Sequence, residues 1–145
     1  HSVHNDYTER SAPQRVRDFL PADEAEAALK RRYAIIQTWR SIAPVVESEP
    51  LALCDGRTIP EKGFIRYERR YRDRTGETYH ISYSPEHRWF WFPRMTRNEA
   101  LVFKVFDTDA SAGVRFTAHT AFDDPTSAPD AAIRESIEMR ALVFY

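Results

Sequence analysis

Cysteine is almost absent. Cys54 stands alone in 145 residues, so no internal disulfide can form and a reducing, cytoplasmic compartment is the default. No apolar run approaches the roughly 20 residues of a membrane-spanning helix, and the start lacks the charged-then-apolar pattern of a secretory signal. Charge imbalance is missing too. A formal net charge of −1 gives no reason to expect nucleic acid or an acidic membrane surface as partner. Lysine is scarce, with Lys30, Lys62 and Lys104 the exceptions to arginine, and no function is drawn from that. Internal repeats and low-complexity stretches are also lacking. What is present is ordinary for a soluble globular chain, 42% hydrophobic and 30% charged, enough for one domain with a single sizeable core. The chain opens without methionine on His1-Ser2-Val3-His4, which reads as the inside of a strand. Residues 1–145 are therefore expected to be a catalytic core that lacks an N-terminal segment.

The pattern is mainly β. Alternation over Ser2–Tyr7 suits a strand with His4 and Asp6 on one side. Ser11 with Gln14 resembles a capping box, and Asp23 with Glu26 an Asp-led variant. With Pro21 between them, two short helices are predicted, about 12–20 and 24–32. Strands are predicted over Tyr33–Trp39, Leu51–Cys54, Phe64–Arg70, Thr78–Tyr83, Arg88–Phe92, Leu101–Phe106, Val114–Thr120 and Arg134–Phe144. Asp55-Gly56, Thr75-Gly76 and Ser84-Pro85 supply turn signals, and Thr96 with Glu99 could cap one helical turn. Many short strands with helices confined to one early insertion argue for a jelly-roll sandwich or barrel. The aromatic run Trp89–Phe92 reads first as a barrel wall buried against the helices, and second as the lining of an apolar substrate pocket.

Two constellations carry chemistry. On a strand, residues i and i+2 share a face, so His4 and Asp6 can hold one metal ion together, and His119 is the candidate third ligand. Two histidines and one carboxylate leave iron(II) three open positions, two for a bidentate cosubstrate and one for O₂. The plain alternative for His4-Asn5-Asp6 is a polar strand face at a chain end. The second constellation is Arg134-Glu135-Ser136 after the distal histidine. Arginine's planar fork can grip a carboxylate bidentately, and a serine two residues on adds a third hydrogen bond. Arg134, Ser136, Glu138 and Arg140 share parity; Arg134 is favoured as the anchor and Arg140 is the alternative. The plain reading of Arg134 is an exposed arginine paired with Glu135 or Glu138. His1 is at most a spare ligand. His80 reads as part of a solvated face, His87 as a turn residue, and Cys54 as a buried small hydrophobe.

With these residues in view, the chain resembles the non-haem iron, 2-oxoglutarate-type oxidoreductases of secondary metabolism. That family groups a cephamycin methoxylation component with fungal hydroxylases, desaturases and an endoperoxide-forming enzyme. The likeness is carried by His4-Asn5-Asp6-Tyr7-Thr8, Thr38-Trp39-Arg40, Pro50-Leu51-Ala52-Leu53-Cys54-Asp55 and Thr75-Gly76-Glu77-Thr78-Tyr79. It continues through His87–Pro93, Phe116–Phe122, Pro125-Thr126, Arg134–Glu138 and Arg140–Phe144. It implies a double-stranded β-helix, the cofactors Fe(II), 2-oxoglutarate and O₂, and a small, largely apolar substrate that is hydroxylated, desaturated or peroxidised. Two departures stand beside Trp39 and Arg40. Gln37 replaces a usual asparagine and Ser41 a usual proline. Two other readings stay open: a metal-binding jelly-roll enzyme that does not use 2-oxoglutarate, and a non-catalytic partner protein of an oxygenase. A homodimer or a partner protein is likewise left open.

Overall fold

A computed structural model describes all of residues 1–145. Its elements run β1 (His4–Asn5), α1 (Ser11–Phe19), α2 (Ala22–Leu29), β2 (Tyr33–Ser41), β3 (Leu51–Cys54), β4 (Phe64–Arg70), β5 (Thr75–Ile81), β6 (Trp89–Trp91), β7 (Leu101–Asp107), β8 (His119–Ala121) and β9 (Ser136–Phe144). Every pairing is antiparallel. Six strands form one sheet in the order β4-β5-β1-β8-β3-β6, and three form a second in the order β7-β2-β9. This is the double-stranded β-helix, or jelly roll, that the short alternating strands imply.

Period-2 alternation puts the core between the sheets. Tyr33, Ile35 and Trp39 of β2 and Leu101, Phe103 and Val105 of β7 join Leu51 of β3 in one buried cluster. Ala12 and Val16, one turn apart on α1, and Ala25 on α2 pack against the same cluster, so small helical side chains seat the helices close to it. Asn5 is fully buried and donates through Nδ2 to the carbonyls of Tyr7 (2.7 Å) and Val105 (2.9 Å). That amide ties β1 to the opposite sheet.

Several local expectations shift. Helix α1 begins one residue early because Thr8 does the capping. Thr8 Oγ1 accepts from the N–H groups of Arg10 and Ser11, and Ser11 Oγ accepts from Thr8 N–H, a reciprocal cap. Gln14 instead binds Asp18, and Glu26 pairs with Arg17. Thr75-Gly76 lies within β5; the turn is made by Tyr71–Arg74, closed by Tyr71 N–H to Arg74 O at 2.8 Å. Thr96 and Glu99 do bond side chain to backbone, but they form a turn bridged to Val45 rather than a helix. The strand predicted over Val114–Thr120 shrinks to His119–Ala121, since Arg115 turns away to Asp107 O and Glu9. The aromatic strand β6 is a sheet edge, not a wall under the helices. Phe90 and Phe92 are more than half exposed, while Trp89 and Trp91 line an apolar cavity of about 410 Å³ with Val3, Ile81 and Phe122.

Candidate metal centre

Register brings the histidines abreast. Strand β1 lies between β5 and β8, with His4 directly opposite both His80 and His119. Residues facing each other across antiparallel strands point to the same side of the sheet, so all three imidazoles face the core side. The rings of His4 and His119 are 4.6 Å apart. Asp6 follows two residues after His4. Its Oδ1 lies 3.6 Å from His4 Nε2, and its Oδ2 lies 3.7 Å from His119 Nε2.

The protons of these imidazoles are assignable. His4 Nδ1 is 2.8 Å from Ser2 O and His119 Nδ1 is 2.9 Å from Thr117 O. A carbonyl can only accept, so each Nδ1 carries a hydrogen, and in the neutral ring each Nε2 offers a lone pair. Burial holds the His119 imidazole below the ordinary histidine range, with Asp6 pulling the other way, which favours the neutral ring that binds metals. With both rings neutral, two imidazole lone pairs and a carboxylate converge within 4.8 Å. Such a donor set suits a divalent cation, and two histidines with one carboxylate is the set that binds iron(II) with open positions. The residues fit the metal.

A cavity of about 310 Å³ opens on this group. Trp39, Gln37 and Glu138 line it from the smaller sheet, and Leu51, Thr78, His80, Arg69 and Arg134 complete much of its wall. His80 therefore does not lie on a solvated face. It is half-buried and stacks on Tyr67 at 4.2 Å, and burial, then His4 and Arg69, push its pKa down. Its ring nitrogens nonetheless lie outside the converging donor set.

Of the five residues proposed from sequence, four meet at this cavity and one does not. His119 lies on β8 of the larger sheet and Arg134 just before β9 of the smaller one, so the two are not on adjacent strands. Arg134 lies in the irregular segment before β9 and stacks on Trp39, 5.7 Å from the ring centre. Its Nη1 donates to Glu49 O at 2.9 Å, and its Nε and Nη2 have no protein partner. Ser136 pairs with Ser41 and is absent from the cavity wall. The last rung of β2–β9 to face the cavity is Trp39–Glu138. The i/i+2 parity that joins Arg134 to Ser136 does not survive the irregular backbone between them.

Arg140, the alternative anchor, has the Nε–Nη2 edge of its fork occupied. Nε donates to Asp6 Oδ2 at 2.9 Å and Nη2 to Glu138 Oε2 at 2.6 Å. Half of that was legible from the i+2 spacing of Glu138 and Arg140; the contact with Asp6, across the two sheets, was not. Gln37 and Arg69 were also missed as lining residues. The departure from asparagine at Gln37, beside Trp39, was the one available signal for the former.

Fold and site together define a double-stranded β-helix protein with a two-histidine, one-carboxylate cluster. Comparison narrows this. Residues 1–144 match the family described as Oxidoreductase/YMDC permease-like domain, and the chain belongs to that family. It is similar to aspirochlorine biosynthesis protein N of Aspergillus oryzae, 36% identical over 92% of this chain and 57% of the relative. It is also similar to the hydroxylase/desaturase asaB of Aspergillus flavus, 35% identical over 90% of this chain and 63% of the relative. Among solved structures, the iron and alpha-ketoglutarate-dependent endoperoxidase NvfI superposes with a TM-score of 0.90 at 30% identity, covering 99% of this chain and 53% of that one. The chain thus spans just over half the length of these relatives. These matches lie on the fungal hydroxylase, desaturase and endoperoxide side of the resemblance. No helix is long and apolar enough to cross a membrane.

Proposed function

We propose that this chain carries the iron- and 2-oxoglutarate-binding core of an oxygenase that hydroxylates, desaturates or peroxidises a small, largely apolar secondary metabolite. The observation that carries the reading is the convergence of His4 Nε2, His119 Nε2 and the Asp6 carboxylate, with each Nδ1 turned to a backbone carbonyl. These three would hold Fe(II). When bound, the iron supplies the oxygen chemistry, activating O₂ while 2-oxoglutarate is converted to succinate and CO₂. Arg134 would bind the far carboxylate of 2-oxoglutarate, since its unpartnered Nε–Nη2 edge matches a bidentate carboxylate. Trp39 supports that guanidinium from one face, and Trp39 and Leu51 limit water at the site. Arg140 orients Asp6, and the Nε–Nη2 edge that would grip a carboxylate side-on is already engaged by Asp6 and Glu138.

The test is anaerobic addition of Fe(II), followed by titration with 2-oxoglutarate. One iron per chain and a visible charge-transfer band are expected. Iron binding without the band would favour a metal-binding jelly-roll enzyme that does not use 2-oxoglutarate. Failure to bind iron would point to a non-catalytic partner protein.

A further inference from the structure

Register aims one side of the β4–β5 hairpin at the metal group. His80 opposes His4, and Arg69 shares the side of Gly76, Thr78 and His80 because it stands opposite Gly76. Arg69 and Thr78 line the cavity on which His4, Asp6 and His119 open. Both, together with Asp6, also line a neighbouring polar groove of about 550 Å³ between α1 and the hairpin. Arg69 is exposed and stands where the groove meets the cavity.

The other arginines on these walls are engaged. Arg10 pairs with Glu77 at 3.4 Å, Arg15 with Asp18 at 3.6 Å, and Arg140 with Asp6 and Glu138. Arg74 lies over the Tyr71 ring, 4.7 Å from its centre, and Arg134 lies over Trp39 while donating to Glu49 O. Arg69 has no such partner. Glu68 and Glu77, out of phase with it on the two strands, are already held by Arg70 and by Thr8 and Arg10. Gly76 directly opposite presents no side chain, so nothing on β5 covers the guanidinium at that rung. Its charge is felt by the His80 ring, whose pKa it helps to lower.

An unopposed guanidinium at such a junction suits a carboxylate, which it can hold through two parallel hydrogen bonds. On the proposed oxygenase reading the cosubstrate is already provided for, with one end of 2-oxoglutarate at the metal and the other at Arg134. We infer that Arg69 is a specificity-determining residue that grips a carboxylate on the organic substrate, so that the site favours an apolar molecule bearing an acid group. Thr78, diagonal to Arg69 across the hairpin, offers a hydroxyl as a further donor. The inference rests on the oxygenase reading for the identity of the cavity as the substrate site, but the grip itself does not need the metal.

The probes are a matched pair, adamantane-1-carboxylate and adamantane-1-carboxamide, equal in apolar body but differing in charge. Affinities are measured by isothermal titration calorimetry on the whole chain near neutral pH, after anaerobic loading with Fe(II) and saturating 2-oxoglutarate, and again without either. The carboxylate is expected to bind about tenfold more tightly than the amide, more than a fully exposed ion pair gives and near the lower end for a hydrogen bond to a charged group. In Arg69→Leu that ratio should collapse to about one, while the charge-transfer titration of 2-oxoglutarate keeps its midpoint. Arg74→Leu, on the groove but outside the cavity wall, should keep the ratio. Failure of the carboxylate to bind, equal binding of the two probes by the loaded parent, an undiminished ratio in Arg69→Leu, or an equal loss in Arg74→Leu overturns the inference. Loss of 2-oxoglutarate binding in Arg69→Leu also overturns it, by assigning Arg69 to the cosubstrate. If the parent shows no charge-transfer band yet the metal-free chain prefers the carboxylate through Arg69, it is the oxygenase reading that falls instead.

Discussion

Two groups of histidine and carboxylate side chains lie close enough to share a cation, and by distance alone the exposed one looks better. His1 Nε2 sits 3.3 Å from Glu49 Oε1 and 3.2 Å from Asp123 Oδ1, whereas His4 and His119 stand 3.6 and 3.7 Å from Asp6. One of the shorter separations is a hydrogen bond, His1 Nε2 to Asp123 Oδ1, which needs the proton on the nitrogen that would have to bind the metal. The longer ones enclose three electron-pair donors with nothing between them. Exposure separates the groups as well. The Asp123 side chain is 92% exposed and that of His119 is 4% exposed. Backbone differs too. His4 and His119 sit on paired strands in mutual register, while Glu49 occupies a left-handed conformation, φ 48°, that an L-residue other than glycine adopts at a cost. Preorganised lone pairs, rather than proximity, mark a metal centre.

The largest effect expected from this contrast is on metal content. His119→Ala should remove iron binding altogether, while Asp123→Ala should leave it unchanged, measured as iron per chain after anaerobic reconstitution and desalting. Loss with Asp123→Ala but not with His119→Ala would place the metal at the exposed group and overturn the distinction.

Next in size is the cosubstrate. Arg134→Ala should weaken 2-oxoglutarate on the order of a hundredfold, as a buried bidentate charge pair loses one partner. Arg140→Ala should stay within about tenfold of the parent and lower the melting temperature instead, because it strands Asp6 and Glu138. Titration of the charge-transfer band alongside a thermal melt reads both. The reverse pattern would mean that the occupied fork of Arg140 opens and that Arg134 is tied down.

The smallest effects are on stability. Asn5→Ala should cost about 1–3 kcal/mol, since the carbonyls of Tyr7 and Val105 lose their donor inside the core. Glu49→Gly, which dismantles the exposed group, should change stability by less than about 1 kcal/mol, because relief of the left-handed backbone offsets glycine's greater freedom when unfolded. Urea titrations compare the two. A larger loss at Glu49 than at Asn5 would show that the exposed group, not the buried one, is the structured half of the pair.

Much of the local framework was readable from residue order. Leu51–Cys54 and Phe64–Arg70 fold as strands over the bounds their β-formers and turn signals suggest. Misreadings cluster where a side chain bonds its own backbone in place of a more obvious neighbour. Thr8 caps α1 ahead of Ser11, and Arg115 leaves the strand path for Asp107 O. The aromatic run at Trp89–Phe92 has the composition of a buried wall, but composition cannot say that a strand closes a sheet edge.

What the sequence determined by itself was chemistry that depends on short spacing. His4 and Asp6 share a face because a strand repeats every two residues, and Glu138 meets Arg140 for the same reason. Only the tertiary structure decided what crosses between strands distant in the chain. It set His119 opposite His4 rather than one rung away, brought Arg140 across the barrel to Asp6, and left Ser136 beyond the last rung facing the cavity. A one-residue slip in pairing would reverse every one of these faces. Register is fixed by packing of the whole core, as in the Asn5 amide that pins β1 to Val105, and no local pattern encodes it.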